Sequence, residues 1–148
     1  MIPNTALWDK RYLEMAKLVA SWSKDPSTKC GAVIVDTNNR VISVGFNGFA
    51  QGVHDYESRL NDRDTKLKLM IHAEENALLF ARQSLQGFTM YTWPMMMCSS
   101  CMSKAIQSGI KRHVSTVNAN PRWQNSFEIA VKIAKEGGVY LQTYGEIE

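Results

Sequence analysis

Two short motifs contain residue types that bind metals and move protons. His72-Ala73-Glu74 and Cys98-Ser99-Ser100-Cys101 each stand where a strand or loop is predicted to lead into a helix. A Cys-x-x-Cys pair at a helix start puts both sulfurs on the first turn, where the helix dipole and free N–H groups favour thiolates. Two thiolates and one imidazole form a three-ligand zinc site with an open fourth position, the pattern of catalytic zinc. We therefore predict a catalytic zinc site at His72, Cys98 and Cys101.

The carboxylate of Glu74 supplies the second half of the predicted chemistry. Glu74 follows the histidine by two residues, so at a helix start it points to a different side and can stand beside the metal without binding it. Zinc in such a site lowers the pKa of its water towards about 7. A nearby carboxylate can take the water's proton and pass it to a substrate nitrogen. Loss of ammonia from an amidine-type ring carbon would complete a hydrolytic deamination, and H-x-E with a later P-C-x-x-C is the signature of zinc deaminases.

Other interpretations of the two cysteines remain open. Cys98 and Cys101 could form a thioredoxin-like redox pair. They could also belong to a closed structural zinc site, with His54 or His113 as the fourth ligand. A non-catalytic zinc module that senses nucleotides would use such a closed site. We expect His113 at the surface, because it follows two basic residues, and we expect Cys30 to be an inert core thiol.

Composition restricts the class of protein. The 148 residues suit one domain, and the hydrophobic share of 45% and charged share of 21% are those of globular chains. Seventeen basic and fourteen acidic residues are scattered, so we predict no nucleic-acid partner. We see no signal peptide and no membrane-spanning stretch. Three cysteines, an odd number, favour a reduced, cytoplasmic location.

Hydrophobic periodicity predicts the elements that must position these motifs. In chain order the predicted elements are an amphipathic helix through Trp8, Tyr12, Met15, Val19 and Trp22, strands at 32–35 and 41–46, a helix from Ala73, a strand at 88–93, a helix at 99–109, a strand at 114–117, a helix through Phe127 that ends at Gly137, and a strand at 139–144. Residues 49–71 are polar and are expected to form a long surface insertion. The alternation implies an α/β fold with helices on both faces of a central sheet.

With these motifs in place, the chain resembles the deoxycytidylate (dCMP) deaminase family of the cytidine deaminase-like superfamily. The matching segments extend over nearly the whole length and are Ser23-Lys24-Asp25-Pro26-Ser27-Thr28, Gly31-Ala32-Val33-Ile34-Val35, Gly45-Phe46-Asn47-Gly48, His72-Ala73-Glu74-Glu75-Asn76-Ala77, Cys98-x-x-Cys101 and Gly109-Ile110-Lys111. The resemblance implies one domain over 1–148, a three-layer α-β-α sandwich with a five-stranded mixed sheet. It also implies hydrolysis of dCMP to dUMP and ammonia. Alternative substrates are a nucleoside, guanine or an adenosine in tRNA.

The resemblance also implies roles for individual residues. His72, Cys98 and Cys101 would hold zinc and Glu74 would move the proton. Asn47 would contact the substrate, and Lys24 is a candidate for its phosphate. Relatives commonly form hexamers that dCTP with Mg²⁺ activates and dTTP inhibits, and the effectors would bind at Gly45-Phe46-Asn47-Gly48. Two tryptophans near the predicted pocket, Trp93 and Trp123, could stack on a flat ring.

Three positions depart from the family pattern. The family usually has proline before the first metal cysteine, where this chain has Met97, while Pro94 stands four residues before Cys98. Relatives often have arginine where Trp22 stands. The usual Gly-Tyr-Asn-Gly turn has Phe46 here and lacks one hydroxyl.

Overall fold

Five strands form one mixed sheet in the computed structural model, which describes residues 5–117 and 120–145. The strands are β1 (Gly31–Val35), β2 (Val41–Phe46), β3 (Thr89–Trp93), β4 (Arg112–Thr116) and β5 (Tyr140–Tyr144), and the helices are α1 (Thr5–Ala20), α2 (Glu57–Leu60), α3 (Arg63–Leu69), α4 (Ala73–Ala81), α5 (Ser99–Ser108) and α6 (Pro121–Glu136). Residues 1–4, which bear on the prediction of no signal peptide, lie outside the described residues.

The strand order is β2-β1-β3-β4-β5. β1 pairs antiparallel with β2 and β3, whereas β3, β4 and β5 run parallel. Parallel neighbours require crossover connections, and α5 and α6 provide them. The prediction of an α/β fold with a five-stranded mixed sheet is confirmed.

Helices cover both faces of the sheet because the strands alternate their side chains between two apolar clusters. On β1, Val33 and Val35 pack under α1, whereas Ala32 and Ile34 face the cluster that includes residues of α4, α5 and α6. Every residue of β1 is buried, as its continuous apolar run predicts. α1 lies so close that a Cβ on Gly31 would be 2.0 Å from the carbonyl oxygen of Ala16.

A buried polar cluster fixes α1 to three strands. The carboxylate of Asp9 accepts two hydrogen bonds from Arg112, at 2.8 and 2.6 Å. It also accepts hydrogen bonds from the hydroxyls of Tyr91 and Tyr144. A buried carboxylate needs such partners, and these come from β3, β4 and β5. The cluster thereby joins α1 to strands far from it in sequence.

The segment 49–71 is not the simple surface loop that its polarity predicts. It contains α2 and α3, and Lys66 on α3 is buried. Its base is closed by a bridge in which the N–H groups of Gly48 and Ile71 each donate to the other residue's carbonyl, at 3.1 and 2.8 Å. The segment therefore forms a short helical cap that contributes a buried side chain.

The prediction that His113 lies at the surface is wrong. Its side chain is on β4 between two strands and is only 1% exposed. Because Val114 faces α1, the neighbouring His113 faces the opposite, helix-covered side of the sheet. Because β4 lies between β3 and β5 and helices cover this face, His113 is buried although two basic residues precede it.

None of the helices in the described part of the chain combines the length and the apolarity that crossing a membrane would require.

Candidate active site

The starts of two helices bring the predicted metal ligands together. His72 immediately precedes α4, Cys98 immediately precedes α5, and Cys101 lies in the first turn of α5. Nδ1 of His72 is 3.6 Å from the Cys98 sulfur and 3.3 Å from the Cys101 sulfur. A tetrahedral zinc ion with ordinary bond lengths separates a nitrogen and a sulfur ligand by roughly 3.6 Å. Both nitrogen–sulfur distances are close to that separation, so the three donor atoms suit a zinc ion.

Neither of the other two histidines completes a four-ligand site. The ligand atoms of His72, Cys98 and Cys101 all lie within 4.8 Å of one another, and no other described His, Cys, Asp or Glu joins this group. His54 is exposed and stacks on Tyr56. Both ring nitrogens of His113 have backbone partners. The arrangement leaves a fourth position free of described protein ligands.

Hydrogen bonds among His72, Cys98 and Cys101 shift the pKa values of all three side chains. A hydrogen bond from Cys101, helped by His72, lowers the pKa of the Cys98 thiol to about 4. The hydrogen bond to Cys98 raises the pKa of His72 to about 9. The pKa of Cys101 is raised, first by its hydrogen bond to Cys98 and then by burial. A metal must displace the protons on His72 and Cys101, because only neutral imidazole and thiolate bind it.

Glu74 stands beside the cluster as a buried carboxyl group. It occupies the second position of α4 and, with His72 and Cys98, lines one pocket. Burial raises its pKa, although the neighbouring His72 and a hydrogen bond from the Cys101 thiol oppose that effect. The site thus has a titratable carboxyl group next to the metal ligands that is not itself placed among them.

The pocket in front of the cluster has an empty volume of about 780 Å³, part of it open to solvent. Its lining residues come from both halves of the chain and are Asp25, Ser27, Thr28, Cys30, Asn47, Arg63, Lys66, Leu67, Met70, His72, Ala73, Glu74, Met95, Met96, Cys98, Arg122, Trp123 and Phe127. Burial raises the pKa of the Cys30 thiol, so this thiol is neutral in the wall.

Asn47 lines this pocket and also braces its wall. Its side-chain oxygen accepts a hydrogen bond from the N–H of Cys30 at 2.9 Å. Its amide nitrogen donates to the carbonyl of Thr28 at 2.9 Å and to Asp25 at 3.3 Å. The hydroxyl of Ser23 donates to the Asn47 carbonyl at 2.8 Å. The Ser23–Thr28 segment and the turn after β2 are therefore one hydrogen-bonded unit.

Trp123 lines the pocket, whereas Trp93 does not. Trp93 packs with Tyr91 in the cluster under α1, because residues 91 and 93 of β3 share that face. The ammonium group of Lys17 lies 5.6 Å from the centre of its ring. The expectation that Trp93 stacks on a bound ring therefore has no support from its position.

Lys24 also lies outside the pocket lining. Its ammonium group pairs with Asp55 at 2.7 Å, and the two side chains are 70% and 46% exposed. The role of Lys24 in binding phosphate therefore stays a prediction, made for a side chain outside this lining.

The predicted effector turn has structural contacts of its own. A Cβ on Gly45 would lie 2.4 Å from the carbonyl oxygen of Ala73, so this glycine lets α4 approach β2. The half-exposed ring of Phe46 meets the edge of Trp22 at 6.2 Å between centroids. Gly48 forms the bridge to Ile71.

Sequence analysis missed the pocket wall formed by α3 and by Met70, the residue that follows it. Four residues of this segment line the pocket: Arg63, Lys66, Leu67 and Met70. The ammonium group of Lys66 is 2.9 Å from Asp25 and 3.0 Å from the hydroxyl of Ser27. The i, i+3, i+4, i+7 spacing of the four residues was a signal that could have revealed a helix face directed at the pocket.

Comparisons with known proteins agree with this geometry. The family model of the cytidine and deoxycytidylate deaminase zinc-binding region matches residues 6–117. The "Uncharacterized deaminase in luxG 3'region" of Aliivibrio fischeri is 41% identical over 137 residues, which cover 89% of this chain and 90% of that protein. Deoxycytidylate deaminase of Mus musculus is 36% identical over 110 residues, which cover 70% of this chain but 61% of that protein.

Solved structures share the fold. The apo dCMP deaminase of cyanophage S-TIM5 superimposes with a TM-score of 0.71 at 22% identity, covering 97% of this chain and 100% of that one. A structure from work on tRNA:A34 deaminases gives a TM-score of 0.57 at 19% identity, with 92% and 97% covered. At these identities the likeness concerns the fold alone.

Proposed function

The chain belongs to the cytidine and deoxycytidylate deaminase family, and from that premise we propose that it hydrolyses dCMP to dUMP and ammonia with zinc as its cofactor. The observation that carries the proposal is the buried carboxyl group of Glu74 beside a three-ligand His72/Cys98/Cys101 cluster. Both motifs lie within residues 6–117, which match a zinc-binding deaminase region, and this favours a metal site over a redox pair of cysteines. A closed structural site would need a fourth ligand.

The proposed reaction assigns a defined proton path to this chain. Zinc, when bound to the three ligands, would supply a Lewis acid that lowers the pKa of water. The Glu74 carboxylate accepts a proton from the attacking water and delivers it to the ring nitrogen N3 of cytosine. The oxygen–C4 bond forms and the C4–N4 bond breaks. The second water proton leaves with N4, so cytosine and water give uracil and ammonia.

The walls of the pocket suit a planar base. Trp123 and Phe127 from α6 contribute aromatic rings, and Met95 and Met96 contribute apolar surface. An aromatic ring that lies flat on the base is worth about 1 kcal/mol or more. We assign base stacking to Trp123, and a substrate contact by Asn47 is proposed from the family resemblance and from its place in the pocket wall.

Positive charge in the same pocket favours a nucleotide over a nucleoside. Arg63 at the start of α3 and Arg122 at the start of α6 both line the pocket and are solvent-exposed. Asp25 is already paired with Lys66. Guanidinium groups bind phosphate through charge-assisted hydrogen bonds. We assign the 5′-phosphate to these two arginines rather than to Lys24, whose ammonium group pairs with Asp55 outside the pocket.

Regulation and assembly are proposed from the family resemblance alone. The proposed regulation is activation by dCTP with Mg²⁺ and inhibition by dTTP, with both nucleotides bound at Gly45-Phe46-Asn47-Gly48. The proposed assembly is a homohexamer. The single domain and the cytoplasmic location also stay predictions. Allosteric control requires that an effector change the affinity for substrate. If dCTP and dTTP leave the dCMP saturation curve of the purified protein unchanged, the regulatory proposal is withdrawn.

Replacement of the carboxyl group tests the mechanism. Glu74→Gln should retain zinc, measured by elemental analysis, and should lower kcat for dCMP by at least about 100-fold, because general acid–base catalysis typically contributes that much. Ammonia release gives the rate. A Glu74→Gln protein that retains zinc and full activity would overturn the mechanism.

The arginines are tested by comparing dCMP with deoxycytidine. Arg63→Gln and Arg122→Gln should each raise KM for dCMP by about 10-fold, the value of one charge-assisted hydrogen bond, and should leave deoxycytidine turnover unchanged. Lys68→Gln is the matched control, since Lys68 is an exposed cation on the same helix as Arg63 but does not line the pocket. Equal effects on both substrates would refute the phosphate assignment.

A further inference from the structure

We propose that His113 is a positioning residue for the metal centre, which holds the Cys98 loop through a hydrogen bond from the backbone N–H of Met97. The inference rests on the zinc site of the proposed function. Nε2 of His113 accepts this bond at 3.1 Å, and Nδ1 faces the carbonyl of Met90 at 3.0 Å. Because the N–H of Met97 must donate, the ring proton is on Nδ1, which donates to Met90.

Met97 is the last residue before the first metal-binding cysteine. The loop from β3 to α5 has few side-chain anchors among the described residues. The hydroxyl of Thr92 donates to the carbonyl of Met95, and that of Thr116 donates to the carbonyl of Pro94. The bond to His113 holds the residue directly before Cys98, and the N–H of Ser99, directly after it, donates to the hydroxyl of Ser126 at 3.0 Å. The bond to His113 therefore restrains Cys98 on the loop side, whereas Ser126 restrains it on the helix side.

A departure from the zinc deaminase signature creates the need for this bond. The signature has proline before the first cysteine. Proline fixes its own φ angle and has no N–H group. Met97 is fully buried and has an N–H that requires an acceptor. His113 satisfies that donor and replaces the covalent restraint of proline with a hydrogen bond.

The expected effect is on metal affinity. Groups that orient the ligands of a metal typically change its affinity by about 10–100-fold when they are removed. His113→Leu keeps much of the side-chain volume but removes the acceptor, so zinc affinity should fall by about that factor. His113→Gln can present an oxygen acceptor and should recover part of the loss.

The test is a chelator competition for zinc with four proteins: the parent, His113→Leu, Met97→Pro and the double variant. If His113 acts through the Met97 N–H, His113→Leu should weaken zinc binding in the parent and have little further effect in the Met97→Pro background, where the donor no longer exists. His54→Leu is the control, since His54 is exposed and outside the cluster. Unfolding in urea separates affinity from stability.

Two results would overturn the positioning role. One is unchanged zinc affinity in folded His113→Leu. The other is an equal loss in both backgrounds, which would indicate general destabilisation instead of a bond to Met97. Because affinity is measured without substrate, neither result bears on dCMP turnover. A parent protein that binds no zinc would instead refute the proposed function.

Discussion

Removal of the Lys66 ammonium group should destabilise the protein strongly, although the sequence places this lysine in a polar insertion. Lys66 and Asp25 form an ion pair at 2.9 Å, and their side chains are 5% and 8% exposed. Removal of one partner of a buried pair typically costs about 3–5 kcal/mol, since the other charge stays buried. In Lys66→Met, Asp25 keeps hydrogen bonds from Ser27 N–H, Thr28 N–H and Asn47. We therefore expect the lower end, about 3 kcal/mol.

Urea unfolding followed by the fluorescence of the four tryptophans measures this loss. The midpoint should fall with little change in the slope, because the same surface is exposed on unfolding. The double variant Lys66→Met/Asp25→Asn removes both charges and should recover much of the loss. Lys24→Met is the matched control, because its ion pair with Asp55 is solvent-exposed and should contribute nothing measurable.

The Lys66→Met substitution should also change the kinetics with dCMP. Lys66 holds α3 against the Ser23–Thr28 segment, and both line the pocket. Loss of the ion pair should raise KM for dCMP more than it lowers kcat, since Glu74 and the metal ligands lie at the starts of α4 and α5. If Lys66→Met is as stable as Lys24→Met, the buried pair does not have the energetic role assigned to it.

Three further outcomes follow from the structure. Burial lowers the pKa of His113 from 6.5 to about 4, so between pH 6.5 and 4 the imidazole is protonated in the unfolded chain but not in the folded protein. The free energy of unfolding should therefore fall by up to about 3 kcal/mol as the pH drops through this window. Urea melts at several pH values should show a smaller fall in His113→Leu. Gly31→Ala would place a Cβ 2.0 Å from the Ala16 carbonyl oxygen and should prevent accumulation of folded protein, whereas Gly145→Ala, with nothing within 4 Å, should be neutral by circular dichroism. Removal of zinc with a chelator should lower Tm and abolish ammonia release, and added zinc should restore both; an unchanged Tm would contradict a metal that binds only the folded state.

The parts of the fold that depend on local spacing could be predicted from the sequence. The buried run at β1 and the alternation of strands with helices predict the five strands and the helices α1, α4, α5 and α6 in the right order, but not α2 and α3. The two motifs could be assigned to helix starts because Cys-x-x-Cys and His-x-Glu each extend over only a few neighbouring residues. That the two motifs lie close together in space depends on the tertiary fold, which only the family resemblance predicted.

The residues that were missed or misplaced depend on long-range packing. Lys66 and Asp25 are 41 residues apart, and no local pattern links them. The burial of His113 depends on the position of β4 inside the sheet, which the strand's own composition does not reveal. Trp93 faces α1 because of strand alternation, and a register one residue different would have turned it towards the pocket.

The bridge between Gly48 and Ile71 has a consequence for how such a protein can diversify. Two backbone hydrogen bonds bring the ends of the intervening segment together, so its length can change without displacing β2 or α4, and lengthening a closed loop costs little entropy. The metal ligands and Glu74 lie outside the segment between Gly48 and Ile71, at the starts of α4 and α5. The segment itself contributes four residues to the pocket lining, which are Arg63, Lys66, Leu67 and Met70. Exchange of this segment, provided that the new one retains a partner for Asp25, would change one wall of the pocket without altering Glu74 or the metal ligands.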